Sequence, residues 1–122
     1  MIEVQLQQEQ FIPDEDITGE VLWSDLKPTD SIEIRLIWYT AGKGTRDIEV
    51  TYTNPITSVV STGNETFNMT APSYPYSFSG KLVSLIWAVE AVVLPSRDAA
   101  TVPIVISPNR QEVLIARHAL DD

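Results

Sequence analysis

The run from Pro72 to Ala91, PSYPYSFSGKLVSLIWAVEA, constrains the fold more than any other part of the chain. Pro72 and Pro75, with serines and tyrosines between them, read as a loop. Gly80 closes that loop, and without a Cβ it can take the φ > 0 that a strand entry often needs. Val83, Leu85, Trp87, Val89 and Ala91 then recur at every second position, which is the period of a strand. Ser84 and Glu90 mark the other face as partly solvated, although Leu82, Ile86 and Val92 make it more apolar than usual. A long apolar strand with one central tryptophan is how a β-sandwich opens a core strand, and Trp87 is expected to fill the space between the sheets.

The rest of the chain repeats this grammar of short strands and turn chemistry. Ile2, Val4 and Leu6 alternate with polar residues as a first strand. Phe11 to Asp16 reads as a turn, with Pro13 suited to a second turn position and carboxylates able to bond nearby N–H groups. Ile17, Gly19, Val21 and Trp23 share one face of a second strand, where the missing side chain of Gly19 permits close backbone approach. Ser24 to Asp30 is a loop. Ile32, Ile34, Leu36 and Trp38 alternate against Glu33, Arg35, Ile37 and Tyr39, giving a central strand with a fully apolar face. Ala41-Gly42-Lys43-Gly44 turns the chain into a hairpin whose return strand is expected to face Ile48, Val50 and Tyr52 inward. Thr53 to Gly63 reads as loop or irregular edge. Phe67 and Met69 point inward from the next strand, and Thr101 to Ile106 forms another. Asn109 to Asp122 fits either a short strand at Val113–Ala116 followed by a tail or a terminal helix opening at Gln111.

A chain of 122 residues fits one domain and buries a core without staples. It has no cysteine, which excludes disulfides and thiolate metal sites and fits a reducing compartment. No segment approaches the roughly 20 apolar residues that span a bilayer, and the start MIEVQ has neither a basic nor an apolar leader region, so a cytoplasmic location is expected. The formal charge of −9, with no run of Lys or Arg, disfavours nucleic acid and anionic membrane as partners. Its plainest consequence is a well-solvated surface.

The groups that carry catalysis are scarce. The single histidine, His118, lies near the end of the chain, so Ser–His–Asp and Cys–His mechanisms find no support, and a zinc site lacks ligands. Asp14, Glu15 and Asp16 carry oxygens a calcium ion would accept, yet without calcium-loop spacing they read as a solvated turn. Gly42-Lys43-Gly44-Thr45 lacks the glycine spacing and following helix of a phosphate loop and reads as the hairpin turn. Tyr74, Tyr76 and Phe78 remain as candidate binding residues: an aromatic loop that either contacts a peptide or sugar or packs over the open end of the sandwich.

Three segments in order resemble arrestin-like N-terminal domains. Phe11 to Val21 is similar to the family's opening, an aromatic residue, a proline and then hydrophobic-x-Gly-x-Val; Ile32 to Tyr39 resembles its next central strand; and Phe67 to Pro72 with Tyr74 to Glu90 resembles its proline, Gly-Lys-hydrophobic, aromatic-x-Val segment. Asp14 stands where the family has glycine, and the basic phosphate-sensing cluster of the receptor-binding arrestins has no counterpart. The resemblance implies an all-β, immunoglobulin-like (arrestin-type) antiparallel β-sandwich of about seven or eight strands over residues 1–108, with a C-terminal strand or tail at 109–122. It further implies a cofactor-free, non-catalytic adaptor or scaffold that binds protein through a sheet edge or end loops, or as a homodimer. The alternative is a small-ligand or carbohydrate-binding sandwich using the Tyr74–Phe78 loop. Gly19, Gly80, Trp38 and Trp87 are expected to be structural.

Overall fold

Ten β-strands and no helix occur among the residues that the computed structural model describes, 1–42, 47–56, 60–80, 83–111 and 113–114. They are β1 (Ile2–Leu6), β2 (Gln10–Phe11), β3 (Asp16–Trp23), β4 (Ser31–Gly42), β5 (Ile48–Ile56), β6 (Gly63–Thr70), β7 (Phe78–Ser79), β8 (Val83–Leu94), β9 (Ala99–Ile106) and β10 (Val113–Leu114). Among the described residues no helix is long and apolar enough to cross a membrane.

The smaller sheet is antiparallel in the order β1-β3-β6, and the larger runs β10-β7-β8-β4-β5. β4 lines one edge of β8 from Val83 to Leu94. The other edge of β8 is divided between β7, at Ser84 and Leu85, and β9, from Trp87 to Val92. Two short parallel pairs, β2 with β9 and β10 with β7, close the periphery. Two mainly antiparallel sheets face each other over one core, so the chain folds as an arrestin-type β-sandwich.

The alternation read from the sequence places the core. Ile32, Ile34 and Leu36 of β4 lie opposite Val93, Ala91 and Val89 of β8, all buried, and half-buried Trp38 stands opposite fully buried Trp87. From the smaller sheet, Val4, Ile17, Val21, Trp23, Phe67 and Met69 meet them. Each buried tryptophan hands its N–H to a loop carbonyl: Trp23 Nε1 donates to Val60 O at 2.7 Å and Trp87 Nε1 to Pro75 O at 2.8 Å. A buried indole N–H without such an acceptor would carry an uncompensated desolvation cost.

Gly19 pairs with Leu6 on one side and Phe67 on the other. A Cβ there would come within 2.5 Å of the Gln5 backbone oxygen, 2.7 Å of Leu6 Cδ2 and 2.8 Å of Phe67 Cζ. Only a residue without a side chain lets these strands and rings close together.

Two expectations are corrected by the structure. Phe11 is fully buried in a strand paired with β9, because its ring is large enough to belong to the core even beside a turn. β5 runs on to Ile56 as the edge strand of the larger sheet, through the start of the stretch read as loop or irregular edge, where an edge strand tolerates Asn54 and Pro55. Gly80 lies half-buried just after β7.

The second concerns β5. Ile48, Val50 and Tyr52 are exposed, at 59, 46 and 41%. A bulge changes the face of two of them: Tyr52 pairs with Leu36 and keeps its face, but Val50 pairs with the very next residue, Ile37. Thr51 is the extra residue, and its hydroxyl donates to Leu36 O at 3.1 Å. One inserted residue reverses the faces of all that precede it, so Val50 and Ile48 join Ile37 and Tyr39 on the outer face.

Candidate functional site

The Pro72–Phe78 loop is held from beneath. Pro75 O accepts the Trp87 indole N–H. Buried Ser77 donates its backbone N–H to Ile106 O at 2.8 Å and accepts the Ile106 N–H on its hydroxyl at 3.0 Å. Of the three aromatic residues singled out from the sequence, Phe78 packs against the core, Tyr76 is partly exposed and Tyr74 projects into solvent at 81% exposure. The loop therefore presents Tyr74, with the less exposed Tyr76 beside it, from an anchored backbone, which lowers the entropy lost on contact.

The Asp14–Asp16 turn is tied to the segment after β9. Arg110 grips both carboxylate oxygens of Glu15, Oε1 through Nη1 and Oε2 through Nη2 at 2.7 Å. Glu15 Oε1 also accepts the Ile12 N–H and the Gln8 amide. The Arg110 hydrogen bonds hold the Glu15 carboxyl below its ordinary range, and Glu15 in turn raises Arg110. A carboxylate engaged by a guanidinium and an amide is a structural clasp. Among the described residues no group of three or more His, Cys, Asp or Glu could hold a metal ion. His118, Lys43, Gly44 and Thr45 lie outside the described residues.

The outer faces of the two sheets differ in chemistry. On the smaller sheet, register aligns Gln5, Glu20 and Thr66 in one row, with Thr18 and Asn68 in the next. A groove of about 600 Å³ crosses this polar face over the backbone of Leu6, Gly19 and Phe67. On the larger sheet, the row Thr53, Arg35, Glu90, Thr101 is polar. Arg35 bonds Glu33 at 2.7 Å and stands 3.8 Å from Glu90. The next row, Val50, Ile37, Ala88, Pro103, is wholly apolar, and the row beyond it aligns Ile48, Tyr39 and Ile86. Sequence reading noticed the apolar character of Ile86 and Val92; the bulge that adds Val50 and Ile48 to that face left no mark in the pattern.

No protein-family model matches the chain, and no curated protein matches it in sequence. Solved structures do match in fold. Spo0M, the sporulation control protein of Bacillus subtilis, superposes over 87% of this chain with a TM-score of 0.60 at 17% identity. The chain spans 48% of Spo0M, about half its length. A β-glucosidase from Listeria innocua in complex with gluconolactone aligns with 93% of the chain but only 16% of the enzyme, at 14% identity and a TM-score of 0.48. What the chain shares with Spo0M is the fold.

Proposed function

We propose that this chain is a non-catalytic protein-interaction module, an arrestin-like adaptor or scaffold domain working in the cytoplasm and binding through the β5 side of its larger sheet. The observation that carries this reading is the exposure of Ile48 and Val50 on one face of the strand at the end of the β10-β7-β8-β4-β5 order. Clustered exposed apolar side chains on an otherwise acidic domain mark a surface that is covered in use. One histidine and no cysteine in the chain leave the common nucleophile–base sets without members. A fold shared with a sporulation control protein is in keeping with a regulatory role.

The test is affinity capture of the tagged protein from a lysate, comparing wild type, Ile48→Asp/Val50→Asp and Tyr74→Ala/Tyr76→Ala. A reproducible protein lost only from the first variant supports the reading. Recovery of nothing but the chain itself counts against it. The exposure of Tyr74 favours a second reading, a small-ligand or carbohydrate module using the Tyr74–Phe78 loop. Trp87 is bonded to that loop, so tryptophan fluorescence across a sugar panel tests it; a flat response removes it.

A further inference from the structure

We infer that the docking surface is the outer face of the larger sheet at its β5 end, and that its occupant is a protein surface with an apolar centre and a basic rim. The inference rests on the interaction-module reading and adds to it a face and a partner chemistry. Register supplies the face: Val50, Ile37, Ala88 and Pro103 run across four strands, with Ile48, Tyr39 and Ile86 beside them. Ile37 and Ala88 form a buried floor, while Ile48, Val50 and Pro103 stand exposed. This is the layout of an interface centre, apolar and contiguous, next to a polar row.

Strand addition along the same edge is obstructed. Thr51 breaks the regular spacing of the strand with its bulge, and Pro55 has no N–H to offer. Contact is therefore made by side chains on the face and not by a continued backbone ladder.

Charge selects the occupant. Glu90 borders the patch on this face and Glu33 lies one row beyond it, whereas Glu49, paired with Trp38, belongs to the other face. Arg35 is the cation among these described border residues, and it is already engaged with Glu33 and close to Glu90. The surface left for a partner is negative, on a chain of formal charge −9. Lysines or arginines around an apolar centre complement it, whereas a second copy would set carboxylates against carboxylates.

The experiment uses two synthetic amphipathic peptides with the same apolar face, one rimmed with lysine and one with glutamate, titrated into the 15N-labelled full chain. The lysine peptide is expected to shift the amides of Ile37, Val50, Ile86 and Ala88, and to bind about tenfold more weakly to Val50→Glu or at high salt. Val50 is exposed, so its replacement leaves the fold intact. Equal binding of both peptides, shifts confined to the β1-β3-β6 face, no shifts at all, or dimerisation through Val50 in sedimentation each overturn the inference. Capture of a partner that survives Ile48→Asp/Val50→Asp but is lost from the Tyr74→Ala/Tyr76→Ala variant overturns this face while leaving the interaction-module reading standing; capture of nothing overturns the reading itself.

Discussion

Replacing glycine by alanine at two positions of the smaller sheet should have very unequal consequences. At Gly19 the new methyl would meet the Gln5 backbone oxygen at 2.5 Å, Leu6 Cδ2 at 2.7 Å and Phe67 Cζ at 2.8 Å. A relaxed carbon–oxygen contact is about 3.3 Å or more, so β1 itself must move. Overpacking of this kind costs about 1–3 kcal/mol, and three simultaneous overlaps, one of them with backbone, place Gly19→Ala near the top of that range. The reduced freedom of the unfolded chain returns about 0.4–1 kcal/mol, for a net loss of about 2 kcal/mol. With an unfolding entropy of about 2.1 cal/mol/K per residue, that loss lowers the melting temperature by about 8 °C. At Gly63 the contacts are 3.0 Å to Trp23 Cζ2 and 3.3 Å to Trp23 Cε2 and Val60 Cγ2, all side-chain atoms. There a shift of a few tenths of an ångström is offset by the same chain-entropy gain, and Gly63→Ala should melt within about 2 °C of wild type. Differential scanning calorimetry of the two variants decides it. Equal melting temperatures, or a Gly19→Ala protein as stable as wild type, would refute the close-approach argument.

Trp87→Ala should cost about 3–5 kcal/mol in urea unfolding, and Trp87→Phe should still lose about 1 kcal/mol for the missing donor to Pro75 O beyond what the smaller ring loses. Tyr74→Ala should change unfolding free energy by less than about 0.5 kcal/mol, because its ring makes little contact with the fold; a larger loss would mean the loop packs differently in solution. Glu15 has a folded-state pKa below its ordinary 4.5, so its bond to Arg110 stabilises fully above that value and is lost as pH falls through the lower folded one. Part of the acid destabilisation below pH 4.5 should therefore disappear in Glu15→Gln, and identical acid unfolding curves for the two proteins would deny the clasp any role.

The core was legible because its strands obey a strict period of two. Ile32, Ile34 and Leu36, like Ile17 and Val21, are buried where alternation places them. Gly19 was found from its place among those residues, and the sandwich followed from strand spacing. What escaped has physical causes. Period-two reading assumes an unbroken ladder, and the extra Thr51 reverses Ile48 and Val50 without changing the composition of the strand. The short strands β2 and β7 are stabilised by tertiary pairing with β9 and β8, which local propensity does not report. For the aromatic loop, sequence favoured packing over an exposed contact patch; the structure divides the residues, with Phe78 inward and Tyr74 outward.

The pairing of β4 with β8 also sets the order of events when this chain folds. Trp38 and Trp87 face each other from positions about fifty residues apart, a contact whose loop closure is slow compared with hairpin formation. β4 and β5 are neighbours in the chain and can pair early. Until β8 arrives, the edge of β4 away from β5 has no partner strand, and its backbone groups stay open. In that interval β8 must reach this edge before another molecule does. Synthesis from the N-terminus prolongs the wait, because β8 leaves the ribosome well after the hairpin.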